Sequence, residues 1–133
     1  HSNDFEIVQN EDVMLTERIK IILIEQLQEL PLHIKVKTSE LLASNLHKDY
    51  KTLSKLFSTN EHTTIEKYFI KLKIEKVKEL IQLKQHSFSE IGYLLDYSSV
   101  NHLSRQFKEV IGMSMTDYKN TENWKRNFYD EII

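Results

Sequence analysis

Cysteine is absent from the 133 residues. That excludes disulfides and thiolate metal sites in this chain. Proline occurs once and glycine only twice. A β-rich fold needs many more turn-forming residues, so the scarcity predicts an all-α architecture. No apolar run approaches the roughly 18 residues that a membrane span requires, and no membrane partner is expected. Neither sign of charge dominates. The formal net charge is −2, which by itself does not advertise a nucleic-acid binder.

The distribution of charge says more than its sum. Residues 1–34 carry 2 basic and 7 acidic groups, and residues 35–119 carry 14 and 10. The last stretch, 120–133, carries 2 and 3. A mildly basic middle between acidic ends points weakly towards a polyanion partner. Hydrophobic residues make up 40% of the chain, enough for a core. The first residue is His1, and residues 1–14 read as a tail left from an upstream domain.

Within that tail, Phe5-Glu6-Ile7-Val8 looks like a short strand. A lone strand is not stable, so it is expected to be without regular structure or to complete an upstream sheet. Ile19, Ile22, Leu23, Leu27 and Leu30 then recur at helical spacing, predicting a helix from Thr16, its N-cap, to Leu30, with Pro31 as the stop. Thr38 or Ser39 opens a second helix containing Leu41, Leu42 and Leu46. Asp49 caps a third that buries Leu53, Leu56 and Phe57. The longest helix runs from Ile65 to about Leu83, with Lys67 to Lys78 read as a solvated face able to touch phosphates. Ser87 or Ser89 caps the next helix, and Ser98 or Ser99 the one after. That helix turns Leu103, Phe107 and Val110 inward and ends at Gly112. A last helix begins near Ser114 and contains Tyr118; beyond it, residues 121–133 continue it or fray.

Two stretches share one plan. ELLASNLHKDYKTLSKLF ends at Phe57, and EIGYLLDYSSVNHLSRQF ends at Phe107, 50 positions later. Aligned on those phenylalanines, Glu40 meets Glu90, Leu53 meets Leu103, Ser54 meets Ser104 and Lys55 meets Arg105, while Ala43 falls one place from Gly92. Each stretch reads as a helix, a short turn and a second, capped helix with a polar outer face. That is the plan of a helix-turn-helix, in which the second helix reads base edges in the major groove. Lys51, Ser54, Lys55 and Ser58 lie on the first outer face; Asn101, Ser104, Arg105 and Lys108 lie on the second. Arginine and lysine suit guanine acceptors, and asparagine suits adenine.

Other chemistries find less support. The six histidines form no HxxxH or HExxH pair, so no metal site is expected. The serines of Asp96-Tyr97-Ser98-Ser99 lack a G-x-S-x-G setting and are explained as caps, so no catalytic residue and no enzyme activity are expected. A helical protein-interaction module that keeps the fold without DNA affinity is the alternative reading.

From about Leu15 to Lys119 the chain resembles the DNA-binding domain of AraC/XylS-type transcription regulators. The run SFSEIGYLLDYSSVNHLSRQFKEVIGMSMTDYK carries most of the likeness, through Ile91, Tyr97, Ser99, Leu103, Ser104, Arg105, Phe107, Lys108, Gly112 and Tyr118. The resemblance implies two helix-turn-helix subdomains, 15–66 and 84–120, joined by a linker helix over 65–83. It implies recognition helices in successive major-groove segments about 34 Å apart. Lys51, Ser54, Lys55, Val100, Asn101 and Arg105 match the base-reading face, and Lys48, Ser99, Lys84 and Lys108 are the expected phosphate contacts. Double-stranded DNA is the implied partner and RNA polymerase a second. The setting is cytoplasmic, no cofactor is needed, and a sensing or dimerisation domain is expected elsewhere in the protein. His47, His62 and Asp96 stand where the family favours glycine, and Met115 stands in place of proline. His and Asp tolerate positive φ, so the turns remain possible.

Overall fold

The structure, a computed structural model, describes the backbone of residues 2–32 and 36–132 and the side chains of 10–32 and 36–125. Seven helices are described and, among these residues, no strand: α1 Ser2–Gln26, α2 Thr38–Leu46, α3 Tyr50–Glu61, α4 Ile65–Leu83, α5 Phe88–Leu94, α6 Val100–Ile111 and α7 Met115–Ile132. They fall into two compact units, the first ending at Leu72 and the second beginning at Lys73, so that α4 contributes to both.

The first unit corrects the sequence reading at its start. The segment Phe5–Val8 is not a strand but part of α1, which runs unbroken from Ser2. A helix satisfies its backbone groups within the segment, whereas a single strand cannot. Thr16 is therefore mid-helix rather than an N-cap. It is buried, donates to the Asp12 carbonyl at 2.8 Å and accepts from Asn60 Nδ2 of α3 at 3.1 Å. Both bonds compensate the burial of its hydroxyl. The helix also ends before Leu30. Leu27 and Gln28 donate to Ile24 and Glu25, three residues back, so the chain has already left the α-helical pattern ahead of Pro31.

Around this helix the core assembles from Ile19 and Leu23, Leu42 and Leu46, Leu53 and Phe57, and Ile65, one contribution from each of α1 to α4. Each such side chain contributes roughly 1.5–3 kcal/mol by leaving water. Lys20 pairs with Glu61 across α1 and α3 and lies 5.9 Å from the Tyr68 ring centroid.

The second unit repeats the arrangement. Its buried residues include Ile74, Val77, Ile81, Ile91, Leu95, Leu103, Phe107, Met115 and Tyr118. The same aromatic pair recurs: Phe57 meets Tyr68 edge-on at 5.5 Å, and Phe107 meets Tyr118 edge-on at 5.7 Å. Thr64 caps α4 by accepting from the Lys67 amide, and Ser114 caps α7 by accepting from the Asp117 amide. Met115, where proline was expected, is the first residue of α7 and is buried. Proline is favoured at that position only because the N–H it lacks would have no partner within the helix and its φ is fixed, so an apolar residue with a capping serine before it serves as well.

Val110 departs from expectation. It lies in the last turn of α6, which ends at Ile111, and is 37% exposed.

Candidate nucleic-acid interface

The two turns decide where the second helices point. In the first, His47 adopts φ 56°, ψ 37°, and α3 follows from Asp49. In the second, Asp96 adopts φ 62°, and α6 follows from Ser99. Both are left-handed residues other than glycine, as the resemblance anticipated. His62 at φ 58° and Gly112 at φ 91° then end α3 and α6 in the same way.

The buried positions of the first helices, Leu42 and Leu46 against Ile91 and Leu95, are 49 apart, whereas Leu53 and Phe57 are 50 from Leu103 and Phe107. The second turn is thus one residue longer, which is why Ala43 and Gly92 miss each other by one place. Gly92 is buried, and a Cβ there would meet Leu103 Cδ2 at 3.8 Å, an ordinary contact.

Capping differs between the repeats. Ser87 and Glu90 form a reciprocal capping box at the start of α5. These hydrogen bonds to Ser87, with His86 beside them, hold the Glu90 carboxyl below its ordinary pKa. Ser99 caps α6 by accepting from the His102 amide at 3.1 Å. Asp49 occupies the N-cap position of α3 but does not accept from an amide; its carboxylate takes the Thr52 hydroxyl at 2.5 Å instead.

With Leu53 and Phe57 buried on α3, Lys51 and Lys55 face outward and are exposed, flanked by the half-buried Ser54. With Leu103 and Phe107 buried on α6, Asn101, Arg105 and Lys108 do the same, and Ser104 is half-buried beside them. Val100, the first residue of α6, is half-buried. Lys48, Lys84 and Ser99 are exposed. Among the described residues, none of the Lys51, Lys55, Asn101, Arg105 and Lys108 side chains is engaged in an intramolecular ion pair. Within each unit the structure therefore brings the expected reading residues onto one open face.

The lysine run of α4 proves heterogeneous. Lys76 and Lys78 pair with Glu79 and Glu75 at 3.5 and 3.3 Å, and Lys67 and Lys71 are exposed. Lys73 is different. It is half-buried with its ammonium 4.0 Å from the Tyr97 ring centroid. Burial lowers its pKa, and the Asp96 carboxylate partly restores it.

Tyr97 also meets the His102 ring edge-on at 5.2 Å and donates its hydroxyl to Gln106 Oε1 at 2.5 Å. Burial pushes its phenol up to about 12. Lys73, Tyr97 and Gln106 thus brace the turn against α4 and α6. Sequence reasoning took Tyr97 only as part of a resemblance and Lys73 as solvated. Gln106 lies nine residues from Tyr97, and Lys73 lies in another helix, so no local spacing signals the set.

A helix, a left-handed turn and a second helix with an open polar face, built twice, define a tandem helix-turn-helix module of the DNA-binding class. Residues 42–121, more than half of the chain, match the family described as the helix-turn-helix domain. The chain belongs to this family, in its AraC type. It is similar to a probable transcriptional regulator, LumQ, of Photobacterium leiognathi, with 28% identity over 108 residues. That likeness covers 81% of this chain and 43% of LumQ, so the chain spans less than half the length of the curated relative it matches.

The fold is similar to that of a transcriptional regulator with an AraC-type DNA-binding domain from Chromobacterium violaceum. The TM-score is 0.73 at 15% identity, over 85% of this chain and 96% of that one. It is also similar to the DNA-binding domain of AdpA, a global transcriptional factor solved with a target DNA. There the TM-score is 0.69 at 17% identity, over 84% and 96% of the two chains. No helix among the described residues is long and apolar enough to cross a membrane.

Proposed function

We propose that this chain reads specific duplex DNA for a transcription regulator, using α3 and α6 as its two reading helices. The observation that carries the reading is the repetition itself. Two helices, each presented by a left-handed turn, expose donors that no intramolecular ion pair consumes. Lys51, Lys55 and Arg105 suit guanine O6 and N7, Asn101 suits adenine, and Ser54 suits either. Val100 offers methyl groups to thymine. Lys48, Lys84, Lys108 and the Ser99 hydroxyl hold phosphates and set the register. DNA leaves chemically unchanged, so the module works by binding and not by catalysis. RNA polymerase and a sensing or dimerisation domain are further partners on this reading, in a cytoplasmic setting.

The test is selection from a random duplex library followed by binding at several salt concentrations. Enrichment of one site, with affinity falling steeply as salt rises, is expected. One observation favours a second reading, a protein-interaction module: Val13, Met14, Ile21 and Ile24 leave apolar surface exposed on α1. Binding that selects no sequence, together with salt-insensitive capture of a protein partner, would establish that reading instead.

A further inference from the structure

Away from the α6 reading face, the second unit holds a small basic niche. It is lined by Ile81 and Lys84 from the end of α4, His86 and Phe88 around the start of α5, and Lys119 and Asn123 on α7. Ile81 is buried and floors it. Its volume is about 120 Å³, well below the ~300–1,000 Å³ of a small-molecule pocket. The space suits a single compact group and not a whole organic ligand.

The charges converge. Lys84 sits in the left-handed region at φ 57°, just past the last turn of α4. The Lys119 ammonium lies 5.8 Å from the Phe88 ring centroid, which holds it over the niche wall. His86 Nδ1 stands 3.5 Å from Glu90 Oε2. The other oxygen of that carboxylate is already engaged by the Ser87 amide at 3.1 Å. Asn123 adds a neutral donor. Among the described side chains of α7, Glu122 and Lys125 face each other at 3.9 Å and Asp117 lies in the first turn. Two ammonium groups, an imidazole and an amide around one small apolar-floored space are the donor set of an oxyanion site.

We propose that this niche binds a phosphate group through Lys84, His86, Lys119 and Asn123. In a helix-turn-helix the first helix crosses the DNA backbone while the second enters the groove. Here the first helix is α5, and the niche lies at its start, so the source is a backbone phosphodiester beside the segment read by α6. This assignment of the source rests on the DNA-reading function proposed above; the affinity for phosphate does not.

The experiment has two arms. Inorganic phosphate is titrated into the chain at low salt while the His86 ring resonances are followed by NMR. In parallel, the salt dependence of affinity for a selected duplex is measured for the wild type, Lys84→Gln, Lys119→Gln and the double variant. Lys125→Gln serves as a control, and circular dichroism checks that each variant is folded.

Saturable shifts at His86, lost in the double variant, are expected. So is a salt slope reduced by about 0.9 in the double variant, the share of the one phosphate held, with unchanged preference among sequences. Phosphate shifts with an unchanged slope would keep the site and assign it to free phosphate. The absence of any shift at His86 overturns the proposal, and does so whether or not the wild type selects a DNA sequence.

Discussion

Replacing His62 by glycine should stabilise the first unit, and replacing Gly112 by alanine should destabilise the second. The two residues end α3 and α6 at equivalent places, 50 positions apart, and both have positive φ. The left-handed region costs an L-residue roughly 1–2 kcal/mol, and towards the lower end for histidine, which is enriched there. Glycine relieves that strain, but its freer unfolded chain takes back about 0.4–1 kcal/mol.

His62 is exposed, and its amide bond to the Ser58 carbonyl at 2.9 Å survives the change. The expected gain for His62→Gly is about 0.5 kcal/mol. At Gly112 no atom lies within 4 Å of a built Cβ, so the cost of alanine is backbone strain alone. It should be about 0.5–1.5 kcal/mol after the same entropy correction. Urea denaturation followed by circular dichroism reads both. With m of roughly 1–3 kcal/mol/M, His62→Gly should raise its midpoint by about 0.2–0.5 M. If the units melt separately, each substitution should move only its own transition. A lower midpoint for His62→Gly, at unchanged m, would refute the claim that His62 is held under strain.

Four further outcomes are expected. Arg105→Ala should cost about 1–3 kcal/mol of affinity and relax preference at one base position; a wild-type mobility shift on the selected site would remove Arg105 from the reading face. Lys51→Gln and Lys55→Gln should each weaken DNA binding, and a variant that keeps the full salt slope would place its lysine away from DNA charge. Gly92→Ala should be neutral or stabilising by up to about 1 kcal/mol, because alanine is the better helix former and its Cβ has room; Gly92→Leu should lower the thermal midpoint, since Leu103 and Tyr97 already border that space. For Tyr97, burial raises the phenol from 10.0 to about 12, so the folded chain holds this proton more firmly than the unfolded chain. The linked stability is complete below pH 10 and is lost as pH rises towards 12. Tyr97→Phe should flatten that alkaline fall, and an unchanged pH profile would show that Tyr97 is not its source.

The repeat was legible because it is a local pattern. Apolar spacing marks α3 and α6 at matching positions, Asp49 and Ser99 mark where they start, and the same spacing places Lys51, Lys55, Asn101 and Arg105 away from the core. Helical periodicity carries this information within about a dozen residues, and no distant contact is needed to decode it. One misreading turned on a distant contact. Thr16 resembles an N-cap until Asn60, 44 residues away, supplies the bond that keeps it buried in the middle of α1. Phe5–Val8 suits a strand by composition, yet a strand requires a partner, and a helix does not.

Side-chain chemistry and short-range spacing thus determined the class of fold, the two turns and the outward faces of the reading helices. Tertiary structure alone decided what braces those faces. Lys73 became a half-buried cation on Tyr97, and Lys84, His86 and Lys119 came together around one small space. Each of these depends on residues from different helices meeting in three dimensions, and burial and electrostatic pairing arise only from that meeting.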